Sequence, residues 1–212
     1  MGVSVWSNVQ VVIQSALAAA DTITAITKAS PAVVTAAGHG LSNGNFVSLD
    51  IQGMHQLDKS VARIANVTTD TFELEGVDST AFDTFSSGTA KAVTFGTSMT
   101  TISDINVSGG EFDSIDITTI HDSVKQETQG AASPITVSGS CNWDPADAGQ
   151  IALKAASDAK AERAIRFSWA DGKVWVFRGQ IGFTHSPTGQ AQGKVTSPFS
   201  VKANGRPRAY AS

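Results

Sequence analysis

The chain reads as a mainly β protein: a β-sandwich or barrel with one flanking α-helix, carrying a small inserted β-barrel module. Three observations predict this. Charged residues make up only 16% of the 212 residues, while Gly, Ser, Thr, Ala and Val dominate, a composition that favours strands and turns. Short apolar runs punctuated by Gly, Pro and Asn recur along most of the length. One stretch alone, ADAGQIALKAASDAKAER, has helical composition and a helical apolar stripe.

Residues 3–13 alternate loosely and predict an extended arm or strand; residues 15–20 are alanine-rich but too short to decide between helix and strand. From Thr22 the texture changes. Pro31 precedes the apolar run VVTAA, and Asn43-Gly44 is a turn signal before FVSLDI. Residues 61–67 and 71–74 read as two more strands, and Phe82, Phe85 and Gly88 close the unit. About seventy residues is a marginal but feasible size for a small barrel. The simplest parse is one β domain, residues 1–20 and 94–212, interrupted by an inserted module at residues 21–93.

Beyond residue 94 the strands lengthen. Ile115 and Ile117, with Ile120 beyond them, alternate with polar residues, and Ile135 and Val137 resume the period of two. The polar connection between them, residues 121–133, is about a dozen residues long, whereas ordinary hairpin loops have roughly 2–5. A loop that long in a compact domain is a working part or is disordered. For the helix, Asp144 reads as the N-cap and Pro145 as the first helical residue, with the helix running to about Arg163. Ile151, Leu153, Ala155, Ala156 and Ala159 form its apolar stripe, and Gly149 weakens its first turn by up to about 1 kcal/mol relative to Ala. Asp171-Gly172 predicts a tight hairpin, VWVF (174–177) a strand covered on both faces, and Pro198 a strand near an edge or bulge.

The residues supply no catalytic set. His39, His55, His121 and His185 have no His or Cys partner at metal-ligand spacing. His121-Asp122 is the sole His–carboxylate neighbour pair, and no G-x-S-x-G elbow exists to complete a triad. The glycine pairs match no nucleotide-binding fingerprint. Glu111 and Asp113 alternate away from Asp116, so the three do not form one cation site. Trp6, Trp143, Trp169 and Trp175 are scattered and read as core or interface residues. Cys141, the only cysteine, excludes an intrachain disulfide and fits a buried small hydrophobe and a reducing compartment. Residues 9–20 lack the basic start of a signal peptide and the length of a membrane span. These readings predict no enzyme, no metal, no cofactor and no membrane insertion.

The formal net charge of −4 leaves no global basic footprint for nucleic acid. The charge is uneven, however. Residues 94–159 hold nine acidic and two basic residues, a net of −7, and residues 160–212 hold two acidic and nine basic, a net of +7. Two readings are open: the blocks mix and neutralise on one surface, or they form separate patches that attract copies head to tail.

The segment from Phe95 to Tyr210 resembles the major tail tube proteins of long non-contractile-tailed (lambda-like) bacteriophages. The resemblance is carried, in order, by GGEFDSIDITTIHDS, CNWDP before the helix, WADGKVWVFRGQIGF and PTGQAQGKVTSPFSVKANGRPRAY. Residues 21–93 resemble a small β-barrel module named for the first catalytic-cysteine half-domain of ubiquitin-activating enzymes, but contain no cysteine for that chemistry. The resemblance implies a tail-tube-type β-sandwich whose copies form a homo-oligomeric, hexameric ring, with rings stacked into a tube around a tape-measure protein. Tail terminator and tail-tip proteins would cap it, and phage DNA would pass through the lumen without sequence-specific binding. The place implied is the virion tail, assembled in the bacterial host cytoplasm. It also implies inter-subunit contacts for the long loop: His121, Asp122, Ser123, Val124, Lys125, Gln126, Glu127, Thr128 and Gln129. The N-terminal arm (Val3, Val5, Trp6) and the C-terminal tail (Arg206, Arg208, Tyr210) would make others. The alternatives are a host-surface glycan-binding role for the insert, or a head–tail completion or decoration protein.

Overall fold

The computed structural model describes residue 6 and residues 8–211. Val3 and Val5 of the expected arm lie outside the described residues. In chain order the strands are β1 (Gln10–Leu17), β2 (Asp21–Ile23), β3 (Ala25–Ile26), β4 (Ala32–Thr35), β5 (Phe46–Gln52), β6 (Val61–Ala65) and β7 (Thr71–Leu74). Then come β8 (Ser87–Ser98), β9 (Ile102–Ser108), β10 (Phe112–Asp116), β11 (Glu127–Ala132) and β12 (Thr136–Asn142). The helix α1 (Ala148–Asp158) precedes β13 (Glu162–Ser168), β14 (Val174–Phe183) and β15 (Thr196–Tyr210). The protein is thus mainly β with one α-helix among the described residues, as the sequence predicts.

Thirteen strands form one curled antiparallel sheet, in the order β3-β4-β7-β6-β5-β8-β1-β13-β14-β15-β12-β9, with β2 on β8. β8 links its two halves: residues 87–93 pair with β5, and residues 93–98 pair with β1. The strand therefore runs through the 93/94 boundary read from the sequence.

Three apolar clusters hold the sheet. The first lies under the inserted strands and includes Leu49, Met54, Leu57, Ile64, Phe72 and Leu74, all fully buried. The second lies between the sheet and α1, around Ile13, Leu153, Phe167, Phe177 and Phe199. The third joins the two halves: Phe46 and Val61 meet Val93, Ala164, Val176 and Tyr210. Val176 belongs to the third cluster and Phe177 to the second, so both faces of β14 are covered, which is why its VWVF run is apolar throughout. Polar contacts reinforce the joint. Arg178 on β14 donates to Asp50 Oδ1 at 2.7 Å and Ser48 Oγ at 3.0 Å, and lies 2.7 Å from Glu162 Oε2.

The helix differs from the sequence reading in its start, length and stripe. Asp147, not Asp144, is the N-cap; its carboxylate accepts from Gln150 N at 2.9 Å. Asp144 instead closes the preceding turn by accepting from Ala146 N. Lys160 takes a left-handed φ of 49°, which ends the helix and frees Glu162–Ser168 to form β13. The buried face is Gly149, Gln150, Leu153 and Ala156, while Ile151 is 52% exposed. Gly149 has a packing reason: a Cβ there would meet Ser98 O at 2.9 Å and Met99 Cα at 3.0 Å. Buried Gln150 pins the helix to the sheet, donating to Asn142 O at 2.7 Å and Thr101 Oγ1 at 2.8 Å. Pro198 lies on an interior strand, but β14 pairing ends at Phe183↔Phe199, so no β14 residue stands opposite it.

Candidate assembly interface

The expected long loop is largely a β-ribbon. Among the described residues β10 and β11 pair with each other and with no other strand, in the register Phe112↔Ala132, Ser114↔Gln129, Ile115↔Thr128 and Asp116↔Glu127. Glu127, Thr128 and Gln129 are therefore strand residues, and His121, Asp122, Ser123, Val124, Lys125 and Gln126 form the turn at the ribbon tip. β12 does not continue across a loop from β10; it pairs with β9 and β15. Composition concealed β11, because Gly130, Ala131 and Ala132 carry no strand propensity and the backbone ladder alone makes the strand.

The root of the ribbon is the Gly109-Gly110 pair, with φ of 87° and 82°. This left-handed backbone turns the chain out of β9, and the Gly110 N–H donates to Ser133 O at 3.1 Å. The tip is tied locally. Asp122 Oδ2 accepts from Thr119 N at 2.8 Å and Thr119 Oγ1 at 2.9 Å, contacts that hold its carboxyl below the usual range. The hydrogen bonds of Lys125 and Ser114 do the same for Glu127.

Nearly every ribbon side chain is exposed, including large apolar ones: Phe112 at 59%, Ile115 at 51%, Ile117 at 53%, Val124 at 68% and Ile120 at 97%. A two-stranded ribbon is marginally stable at best in water by itself, and this one offers apolar surface to whatever covers it. Five acidic residues (Glu111, Asp113, Asp116, Asp122, Glu127) and one basic residue (Lys125) give it a net charge of −4, most of the −7 block.

Next to the ribbon root, β9 is the terminal strand of the sheet and, among the described residues, pairs only with β12. A groove of about 560 Å³ opens beside it, lined by Val9, Val11, Met99, Ile102, Ile105 and Trp6. Trp6, the described residue of the expected arm, is about half exposed and sets its ring against Phe167 (6.1 Å) and Trp169 (5.6 Å).

The C-terminal residues lie in β15 rather than in a free tail. Arg206 is exposed. Burial lowers the pKa of Arg208, and its Nε is shielded from solvent without a hydrogen-bond partner among the described residues. Tyr210 is buried within its own chain: its hydroxyl accepts from Arg63 N at 2.8 Å, and the Arg63 guanidinium stacks on its ring at 4.7 Å. Burial also pushes the Tyr210 phenol up. Sequence reasoning missed the exposed Phe112 and Ile115. The signal was present in Ile120 and Val124, two branched apolar residues in an otherwise polar loop.

Three of the groups weighed for chemistry are held by local packing. Burial raises the Cys141 thiol to about 11, so it stays protonated at neutral pH. The buried His39 accepts from Leu41 N at 3.0 Å and sets its ring edge-on to Phe72. His185 stacks on Phe183 at 5.3 Å. Among the described residues no group of three or more His, Cys, Asp or Glu is placed to hold a metal ion. No helix of the described residues is long and apolar enough to cross a membrane.

The family model for phage tail tube proteins matches residues 52–212, most of the chain. The chain belongs to the phage tail tube protein family. Its members are structural proteins of the virion tail that assemble into a tube. The match begins at the end of β5, so it takes in β6, β7 and β8 together with every strand of the second half of the sheet except β1. No curated protein matches the chain.

Proposed function

We propose that this tail tube protein polymerises into stacked hexameric rings, forming the tube of a long non-contractile, lambda-like tail. The tube assembles around a tape-measure protein in the bacterial host cytoplasm, is closed by tail terminator and tip proteins, and conducts DNA during ejection. The observation that carries this reading is the β10–β11 ribbon. It leaves the sheet at a glycine root and presents Ile117, Ile120 and Val124 to solvent, which suits a clasp to a neighbouring subunit. The terminal strand β9 supports ring formation, since an unpaired edge can accept a strand from another copy. Trp6 and the exposed Arg206 are further candidate contacts between subunits, with Val3 and Val5 continuing the arm.

Residues 21–93 act as a small β-barrel module on the tube exterior. Arg178, Asp50 and the Phe46–Tyr210 contact support a fixed mounting rather than a tethered one. Negative-stain microscopy of assembled tails, with antibody labelling of this protein, tests the proposal. Label along the whole tube is the expected result. Label confined to the tail tip or the head would overturn it.

A further inference from the structure

The pairing of β15 with β14 has a break in it. Val176 pairs with Arg208 and Arg178 with Asn204, so Gly205, Arg206 and Pro207 together stand opposite Phe177 alone. Pro207 has no N–H to give to a ladder, and Gly205 takes a left-handed φ of 71°. The break carries the backbone onto the insert: a Cβ on Gly205 would stand 2.7 Å from Lys59 O and 2.8 Å from Asp58 O.

Beyond the break, Tyr210 completes a strand of the insert. Where β6 runs past the end of β7, Glu75 N donates to Arg63 O at 3.0 Å, but Arg63 N–H does not return the bond to Glu75. It donates to Tyr210 Oη at 2.8 Å instead. The Arg63 guanidinium stacks on the Tyr210 ring at 4.7 Å and donates to Ala211 O at 3.3 Å. The end of β15 thus supplies the acceptor that a backbone donor of the insert lacks in its own ladder.

These residues add nothing to the insert's own core, whose cluster draws on residues 23–90. What they add is a further point of attachment. One strand, β8, carries the sheet from the insert to the body, and neighbouring strands tolerate relative twists of about 10–35°. A single shared strand therefore sets no unique angle; contacts away from it do. We propose that residues 204–211 are a strap that closes the insert onto the body and fixes its angle. With the strap shut, insert and body turn as one. With it open, the insert keeps its core and loses its set angle. Tyr210 is then committed within its own chain, and Arg206, exposed in the break, is left for other contacts. Every contact of the strap lies within one copy, so it stands independently of the tube reading.

Hydrogen exchange and a label distance in the full-length chain test it. Tyr210→Phe removes one hydroxyl and should speed exchange at the Arg63 amide at least about tenfold, while the Ile64 amide, bonded to Asn45 O, changes by less than about twofold. For the distance, Thr69→Cys on the insert and Ala155→Cys on α1, both exposed, carry spin labels, and the native Cys141 is buried. Labelled chain is diluted into an excess of the same chain unlabelled, so that pulsed electron spin resonance reads distances within one copy. One narrow distance is expected with the strap intact. Gly205→Ala, which forces the strap off Asp58 and Lys59, should at least about double its width. Equal acceleration at both amides would make Tyr210 part of the insert's folding core and overturn the strap. So would an Arg63 amide that does not change, or a distance as narrow in Gly205→Ala as in the unaltered strap. Where Gly205→Ala does not fold, the width is read in Tyr210→Phe, with the same two outcomes.

Discussion

The inserted strands and the β10–β11 ribbon are both small antiparallel structures, yet they meet the stability requirement in opposite ways. The inserted strands enclose their own cluster of fully buried side chains and share β8 with the rest of the sheet. The ribbon encloses nothing: Ile120 and Val124 face solvent, and only its ladder and a few exposed polar contacts hold it. Burial of apolar area is the dominant favourable term in folding, so the insert is built for the stability of its own chain. The ribbon becomes stable only when something else covers it. Residues of the insert should therefore control unfolding, and residues of the ribbon should control association.

Substitutions separate the two roles. Phe72→Ala in the insert core should cost about 3–5 kcal/mol, read as a lowered midpoint in urea unfolding. A loss below about 1 kcal/mol would mean that the insert is not a packed core. Arg178→Met should cost about 1–3 kcal/mol, because it strips a charged partner from Asp50 and Glu162 at the joint between insert and body. The lower end of that range is expected, since Asp50 is about one-third exposed.

The pH dependence at this joint has a definite sign. Burial pushes the Asp50 carboxyl up, but the hydrogen bond and charge of Arg178, aided by Lys91, outweigh it and hold the pKa below its ordinary value. A depressed carboxyl contributes stability that is present above its unfolded pKa, about 3.9, and is lost as pH falls through the folded value. The gap between wild type and Arg178→Met should thus be full near pH 7 and narrow below about pH 4. A gap that widens in acid would contradict the assignment.

Gly149→Ala should cost about 1–3 kcal/mol through overpacking against Ser98 and Met99, although alanine is the better helix former. The smallest effect on unfolding belongs to the ribbon. Ile120→Ser should change stability by no more than about 0.5 kcal/mol while reducing assembly, measured as tube length by microscopy.

The same contrast explains which parts were legible in the sequence. β7 falls at Thr71–Leu74 and the Asp171-Gly172 hairpin stands where its turn residues put it, because local propensity and tertiary pairing agree there. The helix cap was misplaced by three residues, since Asp144 and Asp147 are both good caps and only the packing of Gly149 against Ser98 decides between them. That decision also exchanges Ile151 for Gln150 on the buried face, a polar residue chosen for its bonds to Thr101 and Asn142. The candidate interface was half legible. Loop length marked residues 121–133 as special, but the ribbon itself was hidden because β11 owes its form to β10 rather than to its own residues.

The central claim is that the ribbon serves assembly and not folding. It is tested most directly by replacing residues 111–132 with a short Gly-containing turn and comparing thermal unfolding, sedimentation and electron microscopy with the unaltered chain. The account predicts a folded monomer with an essentially unchanged melting temperature and no tubes under conditions where the unaltered chain forms them. Tubes of normal length from the ribbonless chain, or its failure to fold, would contradict it.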